Sequence, residues 1–160
     1  MPALRQTPLL FYVAATLAGA VLPLAFAPYE LWPVAPLVAG VLGLLLIGAA
    51  PRTAFALAWW FGVGLYGTGT SWIYVSIHTY GAASAPLAIL LTGLFTLGMA
   101  LLFALPFILC GYLDLRRPSG ILLGFPAVWV LGEWLRGWFL TGFPWLYLGY
   151  APLETWLAGW

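Results

Sequence analysis

The chain has 160 residues, of which 64% are apolar, 18% aromatic and only 6% charged, against about 25% charged in ordinary soluble domains. Its five cationic residues are all arginine, and a net charge of +1 supplies none of the basic stripe that a nucleic-acid partner calls for. This composition predicts an all-α integral membrane protein, a polytopic helical bundle of about five transmembrane helices at about 20 residues per span, with no soluble domain of ordinary size left over.

Five apolar segments, each delimited by Pro, Gly or charge, predict spans near 9–26, 34–50, 54–77, 86–113 and 121–138, so that 1–160 reads as one transmembrane helical domain. The first carries Pro23 and the second is short; two full spans and a tight helical hairpin turning at Pro28 to Pro33 both satisfy the pattern. A cleaved signal peptide is a further reading of the start, because Arg5 precedes an apolar run and Ala18-Gly19-Ala20 resembles a cleavage site, although apolarity continues beyond Ala20. The fourth segment is long for a hydrocarbon core of about 30 Å, and a tilt or bend is expected at Pro106, where a backbone hydrogen bond is lost. Beyond the fifth comes an aromatic loop over 139–150, and 151–160 is apolar but too short to span.

Arginines set orientation, since positive charge stays on the cytoplasmic side of short loops. Arg5, Arg52, Arg116 and Arg117 fall in alternate loops, which places the amino terminus in the cytoplasm. The Tyr29 to Trp32 turn, the His78 to Ala85 loop and the chain from Phe139 onward are then all expected on the opposite, outer face.

Candidate functional residues concentrate there. Glu133 and Arg136, three apart on a helix, can meet without either charge facing lipid, and the expectation is a satisfied ion pair; the other reading has Arg136 holding a headgroup phosphate, if Glu133 leaves a donor free. Trp138, Phe139, Phe143, Trp145, Tyr147 and Tyr150 follow, side chains suited to the headgroup level. At the end of the third segment, Trp72 and Tyr74 fit interface anchoring or contact with a lipid headgroup equally well. Gly62, Gly64, Gly67 and Gly69 read as helix-packing positions, where small size lets backbones approach and nearby hydroxyls bond across helices. His78 stands alone, with no Cys, Asp or second His beside it, and reads as structural; Glu30 reads as solvated. Cys110 lies inside an apolar span, where a thiol stays protonated and inert. The sequence holds no metal-ligand cluster, no phosphate-cradling Gly loop, no Gly-x-Ser-x-Gly elbow and no lysine, so no cofactor or metal is expected and no catalytic residue is assigned.

Three stretches resemble the amino-terminal membrane region of bacterial apolipoprotein N-acyltransferases. They are Phe26-Ala27-Pro28-Tyr29-Glu30-Leu31-Trp32-Pro33, then Trp72-Ile73-Tyr74-Val75-Ser76-Ile77, then Glu133-Trp134-Leu135-Arg136-Gly137-Trp138 running on through Leu140-Thr141-Gly142-Phe143-Pro144-Trp145 to Gly149-Tyr150. Their order and spacing match, so the similarity covers nearly the whole chain, and the third stretch is the most specific.

The resemblance implies a multi-pass protein of the bacterial cytoplasmic (inner) membrane, its aromatic loops on the periplasmic face. It also implies a nitrilase-like domain with a Glu, Lys and Cys triad, whose Cys takes an acyl chain from phospholipid as a thioester and passes it to the N-terminal diacylglyceryl-cysteine of an apolipoprotein. None of that triad can be placed on this sequence, which contains no Lys. What carries over is the lipid-access region, in which Phe143, Pro144 and Trp145 match a loop near the lipid entrance. Trp72, Tyr74, Glu133, Arg136, Phe143, Pro144 and Trp145 are therefore the expected substrate-binding residues, with membrane phospholipid and the apolipoprotein as partners. Two alternatives are a non-catalytic lipid-binding or scaffold module and a transporter, the latter disfavoured because no series of buried charges or repeated half is visible.

Overall fold

A computed structural model describes residues 8–153 and 155–159, and among these the chain is helical throughout, with six helices and no strand. Helix α1 (Leu9–Val21) tightens into a 3-10 turn over Leu22–Ala25 where Pro23 interrupts it, and a turn through Tyr29 and Glu30 leads into α2 (Val34–Leu45). Helices α3 (Pro51–Gly69) and α5 (Ala85–Ala104) each start with proline in the first turn, where its missing N–H costs nothing. Between them lies the single turn of α4 (Trp72–Val75), continued as a π-turn over Ser76–Tyr80. A π-turn at Gly120–Gly124 opens α6 (Phe125–Trp138).

The expected bend at Pro106 is present as a change of winding: α5 gives way at Leu105 to a 3-10 segment running to Gly111, because Pro106 cannot donate to the carbonyl four residues back. The combined helix Ala85–Gly111, 27 residues with a mean hydropathy of 2.3 over an 18-residue stretch of it, is the one helix among the described residues long and apolar enough to cross a membrane. Leu9–Ala25 and Val34–Leu45 are apolar but shorter, and the 12 residues of α2 reach about 18 Å at about 1.5 Å per residue. Length and composition thus identify one of the five expected spans.

The third segment departs from its expected extent, which ran to Ile77. Helix α3 stops at Gly69, where Thr68 and Ser71 hydroxyls and the buried Thr70 donate back to the carbonyls of Gly64, Thr68 and Tyr66. Two glycines and three hydroxyls that bond their own backbone weaken the helix, although apolarity continues across the break.

Packing is organised around α3. A Cβ on Gly19 would fall on the carbonyl of Phe61, and one on Gly64 on the carbonyl of Thr16, so α1 and α3 cross with backbones in contact. Thr68 reinforces that crossing by donating to the Ala20 carbonyl at 3.1 Å. Gly62 meets Ala100 of α5 in the same manner, whereas Gly67 faces open space and Gly69 receives the Leu146 side chain. Phe61, Phe103, Phe107, Phe125 and Trp129 join α3, the α5 helix and α6 through ring contacts of 4.9 to 5.9 Å.

Two ends result. At one, Gly111 touches Pro51 and the Arg116 guanidinium lies over Gly48, which brings these two arginine-bearing loops together. At the other, residues 26–30, 68–72 and 144–153 gather around one cavity. Arg5, also used for orientation, lies outside the described residues.

Candidate functional site

Helix α6 ends at Trp138 because Phe139 turns extended, and the chain then folds back on the helix. The Phe143 N–H donates to the Arg136 carbonyl at 2.9 Å, closing the last turn. Leu140, Thr141 and Gly142 take left-handed backbone angles in succession, and Leu146 takes one later. Such angles cost about 1 kcal/mol or more at each side-chain-bearing position, so the loop is held by contacts elsewhere.

Glu133 supplies the main holding contact. One carboxylate oxygen accepts from Trp129 Nε1 at 3.0 Å and from the Leu148 backbone N–H at 2.7 Å, tying the core aromatic cluster to the far side of the loop. Leu146 inserts its side chain against Gly69 and near Pro23, and the Tyr147 hydroxyl lies over Gly137.

The expected ion pair between Glu133 and Arg136 is not formed. Among the described residues the salt bridge is Arg117 with Asp114, an exposed pair at 3.0 Å. Arg136 is 3% exposed, and its Nε and Nη2 meet no hydrogen-bond partner. Its guanidinium sits instead between two rings, 4.8 Å from the centroid of Tyr147 and 5.4 Å from that of Tyr66. The spacing along α6 permits the pair; tertiary structure assigns the carboxylate to two N–H donors first. The buried Tyr66 hydroxyl has no hydrogen-bond partner, and the Tyr147 hydroxyl is turned toward the Arg136 side chain without reaching good hydrogen-bond geometry. Burial raises the Tyr147 hydroxyl above its ordinary range against the opposing pull of the Arg136 charge, so it is neutral at physiological pH.

The turn Phe143-Pro144-Trp145 stands between two cavities. The first, about 730 Å³, is lined by Phe26, Glu30, Trp72, Pro144, Trp145 and Tyr150 among others. The second, about 520 Å³, is lined by Phe95, Gly98, Met99, Leu102, Arg136 and residues 139–143. A run of rings joins them: Phe95 to Phe143 at 5.1 Å, Phe143 to Trp145 at 6.5 Å and Trp145 to Trp72 at 5.8 Å.

Of the expected site residues, Trp72, Phe143, Pro144 and Trp145 come together, Arg136 opens on the second cavity, and Glu133 is the loop anchor. Tyr74 stands apart, stacked 5.3 Å from His78, whose Nδ1 lies 2.8 Å from the Ala83 carbonyl and so donates to it. Cys110 is buried and Glu30 is exposed at the rim of the first cavity. Sequence reasoning missed Tyr66, Leu146 and Trp129 as parts of the site. Trp129 had a signal, four residues before Glu133 on one helix face; Tyr66 and Leu146 had none, being brought in from other elements.

Fold and site define a class: an apolar helical scaffold that gathers aromatic residues and a buried cation beside two largely apolar cavities at one end. The sequence model described as "Apolipoprotein N-acyltransferase N-terminal domain" matches residues 18–160, and the chain belongs to that family. Similar relatives are named apolipoprotein N-acyltransferase. Those of Pseudomonas aeruginosa (strain LESB58), Azotobacter vinelandii and Coxiella burnetii are 52%, 55% and 43% identical over 92%, 89% and 92% of this chain. The matched region is 29%, 28% and 31% of their respective lengths, so the chain spans less than a third of each.

Proposed function

We propose that this chain is the membrane-embedded amino-terminal part of an apolipoprotein N-acyltransferase of the bacterial inner membrane, forming its membrane platform and part of its lipid-access route. The amino terminus is cytoplasmic and the aromatic loop periplasmic. Family membership over residues 18–160 is the observation that carries this reading. Two physical features support it. Leu90, Leu94 and Leu97 on α5 and Leu105 just beyond it are all exposed, an uncovered row of large apolar side chains along the one helix long and apolar enough to cross a membrane among the described residues. Arg52, Arg116 and Arg117 lie toward the end away from the aromatic loop, as the positive-inside bias requires.

In the reaction that the resemblance implies for the whole enzyme, a Cys thiolate attacks an ester carbonyl of a phospholipid, forming a C–S bond and releasing the lysophospholipid, whose alkoxide leaves as the protonated alcohol. The amino group of the apolipoprotein's diacylglyceryl-cysteine then attacks the thioester, forming the amide and returning the thiolate. The buried Cys110 is not that nucleophile, and these 160 residues by themselves are catalytically silent. Their part is lipid handling: Trp72, Phe143, Pro144 and Trp145 form an aromatic wall that guides acyl chains sideways from the bilayer, and Glu133 holds that wall in place. Tyr74 serves at the interface beside it.

Replacing Trp145 by Ala in the complete enzyme and measuring both half-reactions tests the assignment. A fall of about tenfold in thioester formation is expected from losing one well-placed contact of about 1.4 kcal/mol; unchanged rates for both half-reactions remove Trp145 from the route. A reading frame that continues into a domain carrying Glu, Lys and Cys separates this function from a non-catalytic lipid-binding scaffold.

A further inference from the structure

Arg136 is charged and 3% exposed, yet among the described residues no carboxylate pairs with it, because Glu133 is occupied by Trp129 and Leu148. Its Nε and Nη2 are enclosed and meet no hydrogen-bond partner. What faces the cation is aromatic: the ring of Tyr147 at 4.8 Å and the ring of Tyr66 at 5.4 Å. A ring presents its negative face to a cation, and the attraction grows where water is excluded, so the two rings stand in for the missing carboxylate. Only a planar, weakly hydrated guanidinium suits this arrangement; the compact, strongly hydrated ammonium of lysine does not.

The two rings belong to different parts of the chain. Tyr66 is fully buried on α3 and set edge-on to Phe103 at 6.5 Å, so the core fixes it. Tyr147 lies in the returning loop, stacked on Tyr150 at 5.6 Å. The Arg136 carbonyl also accepts the Phe143 N–H at 2.9 Å. One residue therefore grips the loop on both sides of Pro144 and Trp145, by its main chain at Phe143 and by its side chain at Tyr147. The left-handed Leu140 and Thr141 lie inside the turn closed at Phe143, so local backbone preference does not keep the turn in place. Gly137 makes room for the grip, since a Cβ there would stand 2.7 Å from the Tyr147 hydroxyl.

We infer that Arg136 is a positioning residue: with Tyr66 as its fixed backing, it clamps Tyr147 and Phe143 and thereby sets the place of the Phe143-Pro144-Trp145 wall. The clamp stands on its own geometry. Its consequence for acyl transfer rests on the lipid-access reading above.

Hydrogen exchange of the complete enzyme in nonionic detergent tests the clamp, and the rate of thioester formation tests its use. Arg136→Gln is expected to speed exchange in 139–150 by about tenfold or more while the first turns of α6 stay protected. Gly137→Ala should do the same with both clamp partners still present. The close contact of its added methyl is the Tyr147 hydroxyl, and alanine favours the helix, so this variant separates loss of the clamp from loss of the fold. Tyr147→Phe keeps a ring and should keep the protection, whereas Tyr147→Leu and Arg136→Lys should lose it. Thioester formation should fall in every variant that frees the loop. Unchanged exchange in Arg136→Gln or Gly137→Ala, or full protection in Arg136→Lys or Tyr147→Leu, overturns the proposal. A freed loop with unchanged thioester formation, where Trp145→Ala lowers it, overturns the positioning role. A freed loop where Trp145→Ala also changes nothing upholds the clamp and overturns the lipid-access reading, so the two fall separately.

Discussion

The crossing of α1 with α3 and the loop over 139–150 solve the same problem, fixing one segment against another, by opposite means. At the crossing, side chains are removed: Gly19 and Gly64 let backbone lie on backbone, and among the described residues the side-chain bond across it is from Thr68 to Ala20. In the loop, side chains are added: Glu133 bonds two donors, Leu146 fills a notch at Gly69, and Arg136 sits between two rings while left-handed residues bear the strain. Close contact of small residues needs no polar group and no buried side chain, and it is the kind of contact that can hold helices together even where apolar burial gives them little reason to associate. Polar anchors cost desolvation, and the fold places them where the chain must be bent back on α6.

The sharpest way to break the first arrangement is Gly64→Leu. A side chain there lands on the backbone of Thr16 and Ala20, which cannot yield, so a loss of about 3 kcal/mol or more is expected, read as a lowered melting temperature and reduced accumulation in the membrane. An unchanged melting temperature would mean that α1 and α3 do not cross at this point.

Glu133→Ala breaks the second arrangement next most strongly. It strands the Trp129 Nε1–H and the Leu148 N–H, a cost of about 2–3 kcal/mol, and should expose 139–150 to limited proteolysis while leaving the helices intact. Glu133→Gln keeps an acceptor and should fall between the two. If Glu133→Ala leaves the loop as protected as before, Glu133 is not its anchor.

Leu140→Gly sharpens the comparison from the other side. Removing the Cβ from a left-handed position relieves about 1 kcal/mol of strain, so the melting temperature should rise; if the strained shape serves lipid handling, acyl transfer by the complete enzyme should fall with it. The smallest effect is Gly67→Ala on α3, only three residues from Gly64. Nothing lies within 4 Å of the added methyl, and helix propensity alone should stabilise by about 0.5–1 kcal/mol, which denaturation in detergent can measure. Opposite signs at Gly64 and Gly67 would show that contact, not composition, decides what a glycine does here.

Much of the fold was legible from runs of apolar residues, since hydropathy is a property of a segment and needs no partner. The helices near 9–25, 34–45, 85–111 and 120–138 fall close to where those runs lie, and the change of winding at Pro106 follows from one missing N–H. The break after Gly69 was not legible, because apolarity runs across it and only the balance of glycines and back-bonding hydroxyls ends the helix. The site was legible in part: Trp72 and Trp145 were named from residue type, yet their meeting at 5.8 Å depends on where two distant segments are carried by the fold.

The sequence by itself therefore determined the all-helical class, the family resemblance and most helix positions, because hydropathy and proline chemistry act locally or along a whole segment. Tertiary structure decided which partner each polar group received. Glu133 and Arg136 have the spacing of an ion pair, but a carboxylate goes to whichever donors are nearest in three dimensions, and those were Trp129 on its own helix and Leu148 from the returning loop. Arg136 was left packed against the rings of Tyr66 and Tyr147 with its Nε and Nη2 buried and unpaired, an outcome that follows from packing geometry and that no spacing along the chain encodes.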